Sequence, residues 1–489
     1  MKPKTLNPSS ATATIEPPAL TKTYANFDSV QAINVGIVSL GCFKNLSDME
    51  AVLAELENVQ VAPIPDSDII FLNTCGFLKA ARDEVYESIE KYNDKKIIVI
   101  GCLASLMKED LFGKYPQIAA IVNGTNYHNI NNIFHRVIRG EKVYAVSPEP
   151  FSFEKLNGKS LLTPRSYAYV KIAEGCNHRC TYCIIPYLKG KFRSRAMEDI
   201  LAEITDLVKL GIKEVILVSQ DCGYYGTDLY GEKRLYELLQ KINAIKGDFW
   251  IRVHYVYPEK IDEKLLEAMA SCEKVCKYLD MPLQHGDKEV LRRMLRFSEP
   301  EKILEKVTAI RKMMPTMTFR TGFIVGFPGE TEKNFNNLIS FVKKIQFDHV
   351  GVFTFSREKL ASSYNYPNQL TQKIKNERKE KLMLMQQKIA LKKNKALIGT
   401  ACKVLIEKYN PNATNALRLT GLHGDRKREP KTSEASNHRQ GAYIGRSMRS
   451  SPGIDGEVII KSMRQLKLYN FYHVYISAAN EYDLFGELV

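Results

Sequence analysis

Residues 174–183 read Glu174-Gly175-Cys176-Asn177-His178-Arg179-Cys180-Thr181-Tyr182-Cys183. They follow Ala168–Ala173, a run of mostly apolar residues that suits a buried strand. Three soft thiolates in one short loop can hold three irons of a 4Fe–4S cluster. The fourth iron is then left without a protein ligand. Such an iron can chelate an amine and a carboxylate, which the methionine end of S-adenosylmethionine (SAM) offers. One electron passed into the sulfonium would break a carbon–sulfur bond and give a 5′-deoxyadenosyl radical. Zinc is the competing occupant, but it wants four ligands. His178 could supply the fourth only by bending back inside the loop.

Outward from this loop, the sequence from about Ser166 to Glu358 alternates strand and helix. Candidate strands are Ala168–Ala173, Glu214–Ser219, Ile251–Val256, Tyr278–Leu283, Phe319–Val325 and Val350–Phe355. Segments of helical periodicity lie between them, such as Ala196–Leu210 and Glu332–Ile345. Six βα units predict a partial or closed parallel barrel, a TIM-like (βα)6 architecture with its site at the carboxyl ends of the strands. Ser219, Gln220 and Asp221 fall at the end of the second strand, where polar groups reach a ligand; Gln284 and His285 end the fourth. Each also has a reading as strand-end capping. Arg193 and Arg195 have guanidinium forks suited to a carboxylate, or form a solvated basic edge.

On the amino-terminal side, Ile33–Leu40, Ile69–Asn73 and Ile97–Ile100 are β-rich runs, with helical segments at Asn45–Leu56 and Phe77–Tyr92. This predicts a parallel βα domain. Cys42, Cys75 and Cys102 each sit just after one of these strands, so topology alone brings three distant thiols to one edge. Flanking glycines leave room for a bulky group. Three unrelated buried thiols are the plain alternative. A second cluster with a second open iron is the sharper one: one cluster generates the radical and the other supplies sulfur.

On the carboxyl-terminal side, residues 366–395 read as a long basic helix. Short strands follow at Ala401–Glu407, Gly456–Ile460, His473–Ser477 and Leu484–Val489, predicting a small all-β barrel. A polar, basic stretch lies between Tyr409 and Tyr443. The first residues are rich in Pro, Ser, Thr and Ala and lack the apolar centre of a secretory signal, so a disordered tail is expected.

No apolar run approaches bilayer length, so no membrane partner is expected. The net charge of +15 suits phosphate-rich partners, and contact with RNA through a basic surface is expected. Ten cysteines in a long chain without a secretory signal point to metal or catalysis rather than disulfides. Of the remaining four, Cys222 reads as a small buried thiol, and Cys272 and Cys276 have helical spacing suited to a core.

The motifs resemble the methylthiotransferase family of radical SAM enzymes, and within it the ribosomal-protein branch, the RimO type. They are Val38-Ser-Leu-Gly-Cys-Phe-Lys-Asn45, Asn73-Thr-Cys-Gly-Phe77, Glu174–Cys180, Tyr278-Leu-Asp-Met-Pro-Leu-Gln-His285, Gly322-Phe-Ile-Val-Gly-Phe-Pro-Gly-Glu330, Phe355-Ser-Arg-Glu358, Ile454-Asp-Gly456 and Glu481-Tyr-Asp-Leu-Phe-Gly486. The resemblance implies a methylthiotransferase domain over 33–145, a linker over 146–163, a radical SAM core over 164–391 and a TRAM domain over 392–489, whose basic insertion spans about 410–442. The tail is 1–32. It implies two 4Fe–4S clusters, on Cys42, Cys75 and Cys102 and on Cys176, Cys180 and Cys183. Two SAM molecules would be used, one as methyl donor and one as radical source. Gly322, Ile324 and Gly326 fall where the wider superfamily packs adenine.

The implied substrate is the β-carbon of a conserved aspartate of small-subunit ribosomal protein S-twelve. A reductase or flavodoxin-like protein would donate electrons; the missing signals and the cluster chemistry, which favours a reducing cytosol, make the cytoplasm the expected compartment. A tRNA adenosine methylthiotransferase of the MiaB type uses the same machinery. The Lys-Asn45, Asn-Thr-Cys-Gly-Phe77 and Glu-Tyr-Asp-Leu-Phe485 segments favour the protein substrate. A non-enzymatic iron–sulfur RNA-binding protein is the remaining alternative, in which every iron would carry a protein ligand. Two departures stand out: Phe43 where the family has proline, and the basic insertion, which questions how the TRAM domain docks.

Overall fold

The computed structural model describes residues 13–14, 32–149, 151, 153, 158–411, 441–462 and 464–489. The amino-terminal unit is a parallel sheet ordered Ile33–Ser39, Ile69–Thr74, Lys96–Gly101, Ile118–Val122, Val143–Ala145. Val59–Val61 also pairs in parallel with the first of these strands. Three expected strands are present; Val59–Val61, Ile118–Val122 and Val143–Ala145 are additional. Ala13–Thr14 pairs antiparallel with Val38 and Ser39; the rest of the tail expected to be disordered, apart from residue 32, lies outside the described residues. Successive side chains on Ile69–Thr74 serve opposite faces, and every one is buried, because helices cover the sheet on both sides. Phe71 packs under Phe43–Ala54 and Ile130–Ile138, whereas Ile70 and Leu72 pack under Lys79–Lys91.

The central unit has six parallel strands, Ala168–Lys171, Glu214–Val218, Trp250–Val253, Tyr278–Asp280, Thr318–Val325 and His349–Thr354. The first three and the last three form continuous ladders, and the Ile251–Val275 bridge joins the halves. No ladder links the first strand to the sixth, so the barrel is open on one side, in agreement with the expected partial barrel. Helix starts are encoded locally. Thr331 caps Glu332–Ile345 by accepting from Asn334 N, and Asn334 returns a bond to the Thr331 backbone. Such a cap contributes about 1 kcal/mol.

The carboxyl-terminal unit is a closed five-stranded barrel of Ala401–Asn410, Ala442–Ser447, Val458–Lys461, Phe471–Ala479 and Leu484–Leu488. The basic helix spans Gln372–Lys395. Ala442–Ser447 is an additional strand, which begins at the end of the polar stretch and runs past it; Gly445 and Arg446 interrupt its apolar alternation. Residues 412–440 of the expected basic insertion lie outside the described residues.

This small barrel docks on the central one through buried charge. Glu214 accepts from Arg252 at 2.5 Å and pairs with Arg446 at 2.7 Å; Arg446 also forks onto Glu407 at 2.7 and 2.9 Å. Beyond it, Asp455 meets Tyr278 Oη at 2.7 Å, and Ser451 Oγ lies 2.8 Å from His254 Nε2. The small barrel thus reaches the open central barrel through Arg446 and the loop after it. Among the described residues no helix is long and apolar enough to cross a membrane.

Candidate functional site

Asn45 organises the first thiol group. It is 2% exposed, and its Oδ1 lies 3.6 Å from Cys42 Sγ and 3.5 Å from Cys102 Sγ. Its Nδ2 donates to Thr74 O at 2.7 Å, beside Cys75. One carboxamide therefore ties together all three strand-end loops. Asn73 holds Asn45 in turn, donating to its backbone oxygen at 2.7 Å. Two glycines permit the close approach. A Cβ on Gly76 would stand 3.1 Å from Leu103 N, and Gly101, at φ +95°, would place one 2.5 Å from Thr74 O. Both Asn residues stand in the quoted motifs, but sequence alone assigned them no role.

The second thiol group is shaped by its own loop. Gly175 has φ +81°, and a Cβ there would lie 2.1 Å from Lys191 O. Cys176 N donates to Gly190 O at 3.1 Å and Cys183 N to Cys180 O at 3.0 Å. His178 does not fold back on the cysteines. Its Nε2 lies 2.8 Å from Asp221 Oδ2, and its ring stacks on Tyr257 at 4.0 Å. Arg296 covers the other Tyr257 contact, 3.5 Å from the ring, and approaches Cys180 Sγ at 3.9 Å.

The two groups share an interface. Ile184 and Leu188, in and before the helix after Cys183, pack against Cys102. Buried charges join the same elements: Lys171 pairs with Asp48 and, at 2.5 Å, with Glu174, while Lys189 lies 3.4 Å from Asp48 and 3.5 Å from Glu174. Phe43 stacks on Tyr169 of the first barrel strand at 5.0 Å and lies 5.7 Å from His254 at the end of the third, so the helix after Cys42 is seated on the barrel strands. Glu358 completes the seam by accepting from Lys79 N at 2.9 Å and Arg82 Nη2 at 2.6 Å.

Two sets of three thiols are the donor chemistry that iron–sulfur clusters take. Among the described residues, no three His, Cys, Asp or Glu side chains come close enough to hold one ion. Ligands of a cluster bind different irons and so stand further apart. Burial, then the neighbouring thiols, pushes Cys75 up to about 12. Burial likewise lifts Cys176 to about 11 and Cys183 to about 12. Such thiols stay protonated at neutral pH unless a metal displaces the proton.

The expected SAM contacts fall into two kinds. Ser219 and Asp221 are buried and occupied: Ser219 Oγ accepts from Asp221 N at 3.1 Å, and Asp221 Oδ1 accepts from Gly223 N and Tyr257 N. Gln220 donates to Glu174 at 2.7 Å, yet its Oε1 is buried with no partner among the described residues. Gln284 takes φ +72°, and its backbone bridges Gly322 O and Ile324 N, so Gln284, Gly322 and Ile324 form one backbone rim. Gly326, at φ +74°, packs against Lys375 and donates to Glu330. His285 lies 3.4 Å from Glu330, buried behind that rim. Arg195 is tied to Glu203, whereas Arg193 has a buried Nε with no partner among the described residues. Cys222 is a buried core thiol as expected. Cys272 and Cys276 are also buried, but Cys272 caps its helix and Cys276 lies beyond it.

Comparison with known proteins covers the same three units. The Radical SAM superfamily profile matches residues 170–342, Uncharacterized protein family UPF0004 matches 34–123, and the TRAM domain matches 434–489. A protein of Clostridium acetobutylicum named Ribosomal protein uS12 methylthiotransferase RimO is 39% identical over 467 residues, covering 93% of this chain and 98% of its own. A protein of Synechocystis sp. with the same name is 38% identical over 462 residues, covering 93% and 98%. Among solved structures, the radical SAM methyltransferase TsrM of Kitasatospora setae superposes with a TM-score of 0.49 at 14% identity, covering 66% of this chain and 73% of its own.

Proposed function

The chain belongs to the RimO family of radical SAM methylthiotransferases, and from this premise we propose that it places a methylthio group on the β-carbon of an aspartate of ribosomal protein uS12. We propose Cys176, Cys180 and Cys183 as ligands of the radical-forming 4Fe–4S cluster, and Cys42, Cys75 and Cys102 as ligands of a second. When bound, these groups supply the electron that cleaves SAM and the sulfur that is transferred. The observation that carries the reading is the shared interface of the two thiol groups, through Ile184, Leu188 and Cys102 and the Lys171–Asp48–Glu174 charges. A substrate carbon held there can meet both centres without travelling.

The chain's own groups do the holding. His178, clamped between Asp221 and Tyr257, stiffens the first loop; Asn45 stiffens the second. The Gln284–Ile324 rim offers backbone edges to the adenine of SAM, and the unpartnered Gln220 Oε1 offers an acceptor near its amine. Asn177 and Arg179 are exposed on the cysteine loop, which suits delivery of electrons by a flavodoxin-like protein. The basic Gln372–Lys395 helix suits RNA contact at the small ribosomal subunit.

The test is the intact mass of uS12 from cells with and without this protein. Loss of one methylthio substituent on deletion, restored by the wild-type chain and not by a Cys176→Ala chain, is the expected result. An unchanged uS12 mass together with loss of a methylthio group from tRNA would assign the chain to the MiaB type instead.

A further inference from the structure

Lys44 lies two residues after Cys42, in the first turn of the Phe43–Ala54 helix. It is half-buried, and its Nζ stands 4.8 Å from the centroid of the Tyr255 ring. Tyr255 follows the third barrel strand and takes φ +57°, a strained conformation for a bulky residue. That conformation turns the chain so that Tyr255 O accepts from Cys222 N at 2.8 Å. Lys44 is therefore an amino-terminal-domain cation placed over a barrel strand end. Its own helix carries Cys42, and the Tyr255 it covers is tied through its backbone oxygen to Cys222, beyond the second barrel strand. The ammonium thus stands where the helix that carries Cys42 meets the carboxyl ends of the barrel strands.

The other cations around this interface are occupied. Lys171 and Lys189 pair with Asp48 and Glu174. Arg320 pairs with Asp280 at 3.2 Å and Asp455 at 3.4 Å. Arg296 donates to Pro282 O and faces Cys180. Lys44 alone of these has neither a carboxylate nor a backbone acceptor among the described residues, only the Tyr255 face. A half-buried ammonium at a domain seam, with no anion beside it among the described residues, is free to take one from a ligand.

We propose that Lys44 binds the carboxylate of the acidic side chain to be modified, and thereby selects aspartate and holds its β-carbon between the two thiol groups. The assignment rests on the proposed uS12 activity. In aspartate the β-carbon is bonded directly to the carboxylate carbon. Anchoring the carboxylate therefore fixes the reacting carbon to within one bond, as positioning for radical chemistry requires. In glutamate the β-carbon lies one bond further away, and in asparagine the charge is absent.

The test compares uS12 peptides bearing Asp, Asn or Glu at the modified position, with wild-type, Lys44→Met and Lys44→Arg holoenzymes. A lost charge-assisted hydrogen bond lowers kcat/KM by about tenfold to hundredfold. The wild type is expected to prefer Asp over Asn by such a factor. Lys44→Met is expected to lose it, chiefly through peptide KM, and Lys44→Arg to keep most of it. Binding of fluorescent Asp and Asn peptides by anisotropy should show the same ordering without turnover. Wild-type enzyme that uses Asp and Asn peptides alike overturns the proposal even if Lys44→Met fails to fold. So does a Lys44→Met enzyme that retains the preference. A raised KM for SAM with peptide preference intact would give the ammonium to the SAM carboxylate instead, and also overturns it. A wild-type enzyme that modifies none of the peptides, nor intact uS12, marks failure of the parent reading and removes this one with it.

Discussion

Glu358, 2% exposed at the end of the barrel, holds Arg82 of the amino-terminal domain at 2.6 Å. The same carboxylate accepts from Lys79 N at 2.9 Å, capping the helix that follows Cys75. Breaking a buried pair from one side leaves the other charge stranded, at a cost of roughly 3–5 kcal/mol. Glu358→Ala is expected to lower stability by about 3 kcal/mol on this ground. It should also separate two activities: 5′-deoxyadenosine formation persists, while methylthio product per radical falls. Urea unfolding and product ratios by mass spectrometry check both. Equal loss of the two products would remove the clamp from the account.

Asn45 should matter to iron more than to folding. Replacing it by Leu removes the acceptor shared by Cys42 and Cys102 and the donor to Thr74 O, at about 1–3 kcal/mol for the partners left unpaired. The holoprotein is expected to carry about eight irons, as two four-iron clusters would supply. Asn45→Leu should carry about half of that, the remaining cluster having the signature of the Cys176 loop. Iron analysis and Mössbauer spectra read this directly, and full iron occupancy in the variant would deny Asn45 its organising role.

What the sequence made legible follows from the range over which each signal acts. The six barrel strands were readable because a strand buried on both faces is a short continuous apolar run, as in Glu214–Val218. Helix Glu332–Ile345 was readable because its apolar periodicity is local, with Phe335, Leu338, Phe341, Val342 and Ile345 on its buried face. The cysteine groups were legible through spacing and topology. The seam was not, since Glu358 and Arg82 are 276 positions apart and each alone resembles a surface charge. Asn45 was quoted and not understood, because a buried amide has no pattern until its three partner loops converge. Ala442–Ser447 escaped because Gly445, Arg446 and Ser447 supply no apolar alternation by which a strand is recognised; Arg446 reaches out of its own barrel to Glu214 of the central one.

Phe43 departs from the family's proline, and the structure gives the departure a role. It is the first residue of the helix capped by Cys42, a position where proline fits without loss of a hydrogen bond. Its ring stacks on Tyr169 at 5.0 Å and lies 5.7 Å from His254. Phe43→Pro should therefore keep the helix and the iron but lose the stack, worth about 0.5–1.5 kcal/mol beyond burial. A thermal midpoint lowered by a few degrees with unchanged iron content is expected; iron lost from the amino-terminal site would mean that the ring shapes the cysteine loop after all.

Docking of the small barrel should depend on pH through Glu214. Burial alone would raise its pKa, but Arg252 and Arg446 more than offset this and hold it below the ordinary 4.5. Since the folded value lies below the unfolded one, this contribution is complete above about pH 4.5 and is lost as pH falls through the folded value. Hydrogen exchange in Ala442–Ser447 and in Trp250–Val253 is expected to quicken together as pH falls below 4.5, ahead of exchange in the amino-terminal sheet. Glu214→Gln removes the titrating group. It should quicken exchange in both strands already at neutral pH, because two guanidinium groups are left facing a neutral amide, and it should flatten the acid response. A Glu214→Gln chain whose two strands still loosen over the wild-type acid range would place the sensitivity elsewhere, with Asp280 and Asp455 the next carboxylates to replace, held low against the effect of burial by Arg320 and by His349 with Arg320, respectively.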